Sequence, residues 1–370
     1  MDGLILAAVV LTRVAVPLAI PRYPLPAMLT ALVIDGIDQT IFQTFTSLDL
    51  SGYQSYDKAL DVYYLSIAYV ATLRNWTNFT AFRVSWFLYY YRLVGVVLFE
   101  LSQLRWLLLA FPNTFEYFFD FYEAVRTRWD PRRMSAGLLV GAAAFIWIFI
   151  KLPQEWWIHV AQLDMTDFLK ESVFGVPADS SWTEAIAANP TVVIVALLVA
   201  AALGLLAWWV ITRRLPPADR PFTLDADAHQ PPVDKVAIRQ RRDRLAETFL
   251  DRELLEKIVL VALVSVIFGR MLPGVEESPL AIAIGVAAVI LVNTAVSEYF
   301  IRRGRRWGSV IHQFGLMLVL NVVIVAVPGS LLRLLGAEPL QHALVFVLLL
   351  TLIVTLYDRY RPVHLTRFSR

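Results

Sequence analysis

Long apolar blocks dominate this chain and leave few folds open to it. They run over roughly residues 3–20, 25–46, 57–73, 84–101, 104–124, 135–152, 190–211, 255–272, 279–299, 307–331 and 340–357. A helix needs about 20 apolar residues to cross the hydrocarbon core of a bilayer. Within that core only helices and closed barrels satisfy the backbone hydrogen bonds. The blocks at 190–211, 279–296 and 340–356 carry no ionised side chain, whereas the first five blocks carry several. The block at 104–124 is the weakest span, with an interfacial helix as its alternative. The pattern predicts an all-α polytopic transmembrane bundle of about 10–11 spans, with surface amphipathic helices and one cytoplasmic loop. Composition agrees: 58% of the 370 residues are hydrophobic and 17% charged, against about 45–50% and about 25% in soluble domains.

Basic residues collect in four segments: 126–133, 212–252, the run Arg302, Arg303, Arg305 and Arg306, and the tail 359–370. With eleven spans all four fall on one face, which the positive-inside tendency assigns to the cytoplasm. The segment 153–189, with Asp164, Asp167, Glu171, Asp179 and Glu184, falls outside. This arrangement expects an external N-terminus and a cytoplasmic C-terminus in the cell membrane. Met1, Asp2 and Gly3 lead straight into the first apolar run, so it reads as an uncleaved helix.

Prolines at 216, 217, 221, 231 and 232 keep 212–233 from forming a helix, and an amphipathic pattern follows up to residue 252. The chain therefore divides into three parts. Residues 1–211 form an aromatic, charge-bearing bundle of seven spans with an outer amphipathic stretch at 153–176. Residues 212–252 form an Arg- and Pro-rich cytoplasmic loop, suited to docking an anionic lipid or a cytoplasmic partner. Residues 253–370 form a four-span apolar bundle with a basic tail, suited to packing or oligomerisation.

Ionisable groups inside a span are costly and face polar interiors. Arg13 sits in the first span, and Asp35 and Asp38 in the second. Asp57, Lys58 and Asp61 open the third, and Arg92 lies midway along the fourth. Spacings of three and four put each Asp pair on one helical face, so the four carboxylates can converge, with Arg13 and Arg92 to neutralise them. Glu116, Asp120 and Glu123 make a second acidic stripe, ringed by aromatic residues, and Glu116, Asp120 and Asp35 are the partners expected for Arg92. The Asp cluster suits either a divalent cation, with Asp35, Asp38, Asp57 and Asp61 as ligands, or a proton or cation path. Structural ion pairing within the bundle is the plainer alternative.

The series Asp35-x-x-Asp38, Gly52, Asp57-x-x-x-Asp61 resembles the metal-binding signature of the CDP-alcohol phosphotransferases, D-x-x-D-G-x-x-A-R followed after eight residues by G-x-x-x-D-x-x-x-D. The resemblance covers about residues 10–65 and implies two divalent ions held by Asp residues, one Asp serving as base. The chain departs from that pattern at Gln39, Phe42 and Gln43, and one extra residue separates Gly52 from Asp57.

The absence of Cys excludes disulfides, thiolate nucleophiles and Cys-held metals. The five His show no zinc spacing, and no phosphate-binding loop or dinucleotide motif is present. A net charge of +2 offers no field for nucleic acid. Three functions fit: a transporter or channel for an ion or small polar solute, a metal-dependent enzyme acting on lipid headgroups, and a non-catalytic membrane scaffold.

Overall fold

The computed structural model describes residues 2–46, 53–163, 165–213, 215–230, 234, 236–238, 240–241, 252–271, 314–319, 322 and 340–368. Every regular element among them is helical. The block at 279–299, most of 307–331, the Arg302–Arg306 run and the amphipathic stretch after residue 241 lie outside the described residues.

Helix α1 (Asp2–Ala15) passes into a short 3-10 turn, and a tight return leads to α2 (Pro24–Phe45). Pro24 opens α2, where its missing N–H and fixed φ cost nothing. Next come α3 (Tyr53–Asn75) and α4 (Phe79–Ser102). Asn78 caps α4 by accepting a hydrogen bond from Ala81 N at 3.1 Å. Left-handed Gln103 (φ 57°) ends it.

The 104–124 block does not form one helix. It divides into α5 (Trp106–Ala110) and α6 (Thr114–Arg126), broken at Phe111–Asn113. At 1.5 Å per residue α6 is about 20 Å long, short of the roughly 30 Å hydrocarbon core. The break packs tightly on α4. A Cβ at Gly95 would lie 2.1 Å from the Phe111 Cβ, so only glycine allows this approach.

Helix α7 runs over Ala136–Val160, past the expected end at 152. Its π turns at Ile146–Lys151 and Trp156–Val160 flank Pro153. A proline there has no N–H to give the preceding turn, and the widened π turns absorb that defect. After α8 (Trp182–Ala188) comes α9 (Pro190–Arg213). The later described helices are α10 (Arg252–Met271) and α11 (Leu340–Phe368).

Four helices among the described residues are long and apolar enough to cross a membrane: Asp2–Ala19, Phe79–Ser102, Ala136–Val160 and Pro190–Val210. The last has no buried residue among those described, and Leu197 and Trp208 are 65% and 68% exposed. Apolar surface costs about 25 cal/mol per Å² in water, so a helix with this much of it exposed is suited to apolar surroundings.

Helix α3 is the central post. From Ala59 to Asn75 nearly every side chain is buried, against α2, α4, α10 and α11. Its tyrosines can be buried because their hydroxyls find partners. Tyr63 donates to Val14 O (3.0 Å), Tyr64 to Glu116 (3.4 Å) and Tyr69 to Glu256 (2.7 Å). Trp76 stacks on Tyr122 at 3.9 Å and donates its indole N–H to Glu123 at 2.8 Å.

Residues 215–230 form a strap across one end of the bundle. Ala226 N donates to Arg22 O, Thr223 N to Thr127 O and Arg220 N to Arg128 O, at 2.8, 3.2 and 3.1 Å. Arg220 pairs with Asp130 at 2.9 Å, Arg133 with Asp219 at 2.6 Å, and Arg74 with Asp227. Asp and Arg residues of the strap thus pair with Arg and Asp residues at the end of α3 and in the connection after α6, and this rim is the basic end of the bundle.

Candidate functional site

The two carboxylates of α2 lie three residues apart and face α1 and α3. Arg13 reaches into the space between the three helices. Its Nη1 pairs with Asp38, and its Nη2 with Asp35 and with Asp61 Oδ1, the last at 2.9 Å. Arg13 is 5% exposed and Asp38 1%. Asp35 and Asp61 keep more access, on the side where the cluster meets a cavity. The Asp57 side chain lies outside the described residues.

That cavity, of about 480 Å³, lies between α2, α3, α4, α6 and α7. Asp35 and Asp61 line one wall. Arg92, Glu116, Lys151, Glu155 and His159 supply the others. Arg92 lies 3.8 Å from Glu155 and donates to Phe111 O at 2.9 Å. Its acidic neighbour is therefore Glu155, rather than Glu116, Asp120 or Asp35. Glu155 also accepts from Asn113 N at 3.1 Å and sits 3.0 Å from His159 Nε2. Glu116 lies 3.5 Å from Lys151 and accepts from Asn113 Nδ2 at 2.5 Å. The Lys151 ammonium stands 3.7 Å over the Tyr117 ring, which spreads its charge over an aromatic face.

The break between α5 and α6 does much of this positioning. It frees Phe111 O, Ala110 O and Asn113 N from helical bonding, and Arg92, Tyr91 and Glu155 take them up. Counting 1.5 Å per residue from the basic end, Asp35, Asp61, Arg92, Glu116 and Lys151 all stand about 15–23 Å deep. These five form one layer, and Glu155 and His159 stand further along α7, about 28–35 Å from that end. Tyr64 lines the cavity between the two clusters and hydrogen-bonds Glu116.

This chain matches no known protein family, no curated protein and no solved structure.

Of the residues singled out from the sequence, Arg13, Asp35, Asp38 and Asp61 come together, while Arg92 and Glu116 lie on the same cavity's other walls. Asp120 does not line it, and its Oδ1 is buried with no hydrogen-bond partner among the described residues. No group of three His, Asp or Glu side chains among the described residues is arranged to hold a metal ion. The Arg13 guanidinium stands among the carboxylates that the CDP-alcohol phosphotransferase pattern would give to metal. Lys151, Glu155 and His159 escaped the sequence reading. Their spacing of four, Lys151-x-x-x-Glu155-x-x-x-His159, was the available signal, masked by Pro153 and two Trp residues that suggested a surface helix.

Proposed function

We propose that the chain is a multi-pass membrane protein, external at its N-terminus and cytoplasmic at its C-terminus, which carries an ion or small polar solute through the cavity among α2, α3, α4, α6 and α7. One observation carries the reading. Carboxylates and cations line the cavity together, Asp35 and Asp61 on one wall and Arg92, Lys151, Glu100, Glu116 and Glu155 on the others, beside helices able to cross a bilayer, where paired ionisable groups of this number mark a polar path. Walls of both signs suit a small solute that itself carries both signs, its ammonium toward Asp35 and Asp61 and its anionic group toward Arg92 and Lys151. The existing ion pairs hold these side chains ready, so binding exchanges one charged partner for another and leaves none bare.

The chain has no cysteine, so a single introduced thiol reports one place. Ile158 lines the cavity and is exposed. Ile158→Cys in proteoliposomes is expected to react with a small charged thiol reagent and to be protected by the transported solute. Uptake of that solute is expected to fall in Arg92→Gln. A thiol at 158 that stays unreactive in the folded protein, or uptake no greater than in empty vesicles across a panel of zwitterions and inorganic ions, would refute the proposal.

A further inference from the structure

A second cavity, of about 730 Å³, opens between α4, α10 and α11 on a different face of α4. Most of its lining is apolar, including Phe82, Trp86 and Val94 of α4 and Val259 and Leu263 of α10. Trp86 and Val259 are exposed, so the cleft is open to its surroundings among the described residues. From Phe79 to Val94 it follows α4 for about 23 Å.

Its basic groups, Arg83, Arg361 and His364, stand toward the basic end, with Glu256 beside Arg361 and Tyr90 further along α4. Arg361 is held by Glu256 at 2.7 Å. Arg83, which also lines the cleft, is exposed and makes no hydrogen bond or ion pair with any described residue. His364 is 4% exposed, and its Nδ1 has no hydrogen-bond partner among the described residues. Its ring lies 4.0 Å from that of Phe82, which fixes it at the cleft wall. One turn on, Arg367 lies outside the cleft lining and donates Nη1 to Trp76 O at 2.7 Å.

We propose that this cleft binds an anionic phospholipid. Its phosphate accepts from Arg83 and His364, and an acyl chain lies along α4 and α10. The site is distinct from the Arg-rich loop at 212–252. Three features select this occupant. The cleft is polar at one end and apolar along its length, which fits an amphiphile. Its unsatisfied donors are the Arg83 guanidinium and, with Nδ1 protonated, the neutral His364 imidazole, which fits a phosphate. They stand at the end of the bundle where basic residues collect, the side on which bilayers hold their anionic lipids. The inference rests on the membrane reading, and not on the solute proposed for the other cavity.

The test is native mass spectrometry of the purified full chain in detergent, after incubation with equal phosphatidylglycerol and phosphatidylcholine. Phosphatidylglycerol is expected to bind in preference. Arg83→Gln, at an exposed position with no partner to lose, is expected to lower its occupancy about fivefold, the factor for one Arg at a membrane surface. Val259→Trp, which fills the cleft, is expected to remove the bound lipid while the protein stays monodisperse. Equal binding of the two lipids, unchanged occupancy in Arg83→Gln, or displacement by inorganic phosphate alone would overturn the proposal, the last by making the ligand a soluble anion. No bound lipid at all, as when another segment or a second copy of the chain fills the cleft, would overturn it too. A chain that remains soluble and monodisperse without detergent would instead remove the membrane reading beneath it.

Discussion

Removing the Arg13 guanidinium is expected to be the most damaging single change in the first part of the chain. Asp35, Asp38 and Asp61 all meet it, and Asp38 has almost no access to water. At the 2.9 Å separation from Asp61, Coulomb attraction is about 6 kcal/mol with an effective dielectric near 20. Desolvation of both groups offsets much of that, more so for Asp38 than for the part-exposed Asp61. What remains is the cost of leaving a carboxylate buried without its cation, about 3–5 kcal/mol. Arg13→Gln should cost that much in reversible denaturation in mixed micelles. Asp38→Asn should cost less, about 1.5–3 kcal/mol, since it removes one charge-assisted bond while Asp35 and Asp61 still hold the guanidinium. Asp61→Asn should cost least, at or below about 1 kcal/mol, because water reaches it and screens the pair. The double variant Arg13→Gln/Asp38→Asn should fall well short of the sum of its singles. An Arg13→Gln protein within about 1 kcal/mol of the parent, or Asp61→Asn costing more than Asp38→Asn, would refute the reasoning.

Gly95→Ala should destabilise the protein by about 1–3 kcal/mol, the usual cost of overpacking, and weaken solute binding by moving the Phe111 carbonyl away from Arg92; calorimetry and a binding titration check both. Lys151→Met should cost about 3 kcal/mol or more in thermal unfolding, because it strips the buried Glu116 of its cation; Lys151→Arg should recover most of it. The Asp130 carboxyl is held down to about 2, chiefly by its hydrogen bond from Arg132 and further by Arg220. That value lies below the unfolded value of about 3.9, so its contribution to strap docking is full above pH about 4 and disappears as pH falls toward about 2. The protection of the Arg220 amide relative to an unstructured amide should hold at pH about 5 and fall below about 4, and Asp130→Asn should lower it about fivefold at pH about 5 with little effect at pH about 2. A lone thiol in Leu197→Cys should resist a membrane-impermeant maleimide in intact vesicles and react once they are dissolved in denaturant.

The helical class and the Asp35, Asp38 and Asp61 cluster were legible because both are periodic signals: apolar blocks of spanning length, and carboxylates three and four apart. Arg13 was legible as the neutralising partner because it was the odd charge in an otherwise apolar run. The partner of Arg92 was not. Glu155 lies beyond Pro153, and a proline normally marks a helix end. Only the π turns around it, which no composition announces, carry the helix on and turn Lys151, Glu155 and His159 to the cavity. The break at Phe111–Asn113 was equally hidden, since Pro112 is its sole local mark and the constraint that fixes it, Gly95, lies on another helix. Asp120 was drawn in by its spacing from Glu116, but spacing fixes a face of α6 and not what that face meets.

The place of α11 beside the central post has a consequence for biosynthesis. The bond from Arg367 to Trp76 joins positions 291 residues apart, and α11 packs along the length of α3. While the ribosome is still making the residues between them, the tyrosine-rich helix has one flank uncovered. Contacts so distant along the chain form slowly, so the nascent protein holds its central helix with one flank open until the end of the chain is made. Variants of α11 should therefore show their damage first as degradation of newly made chains.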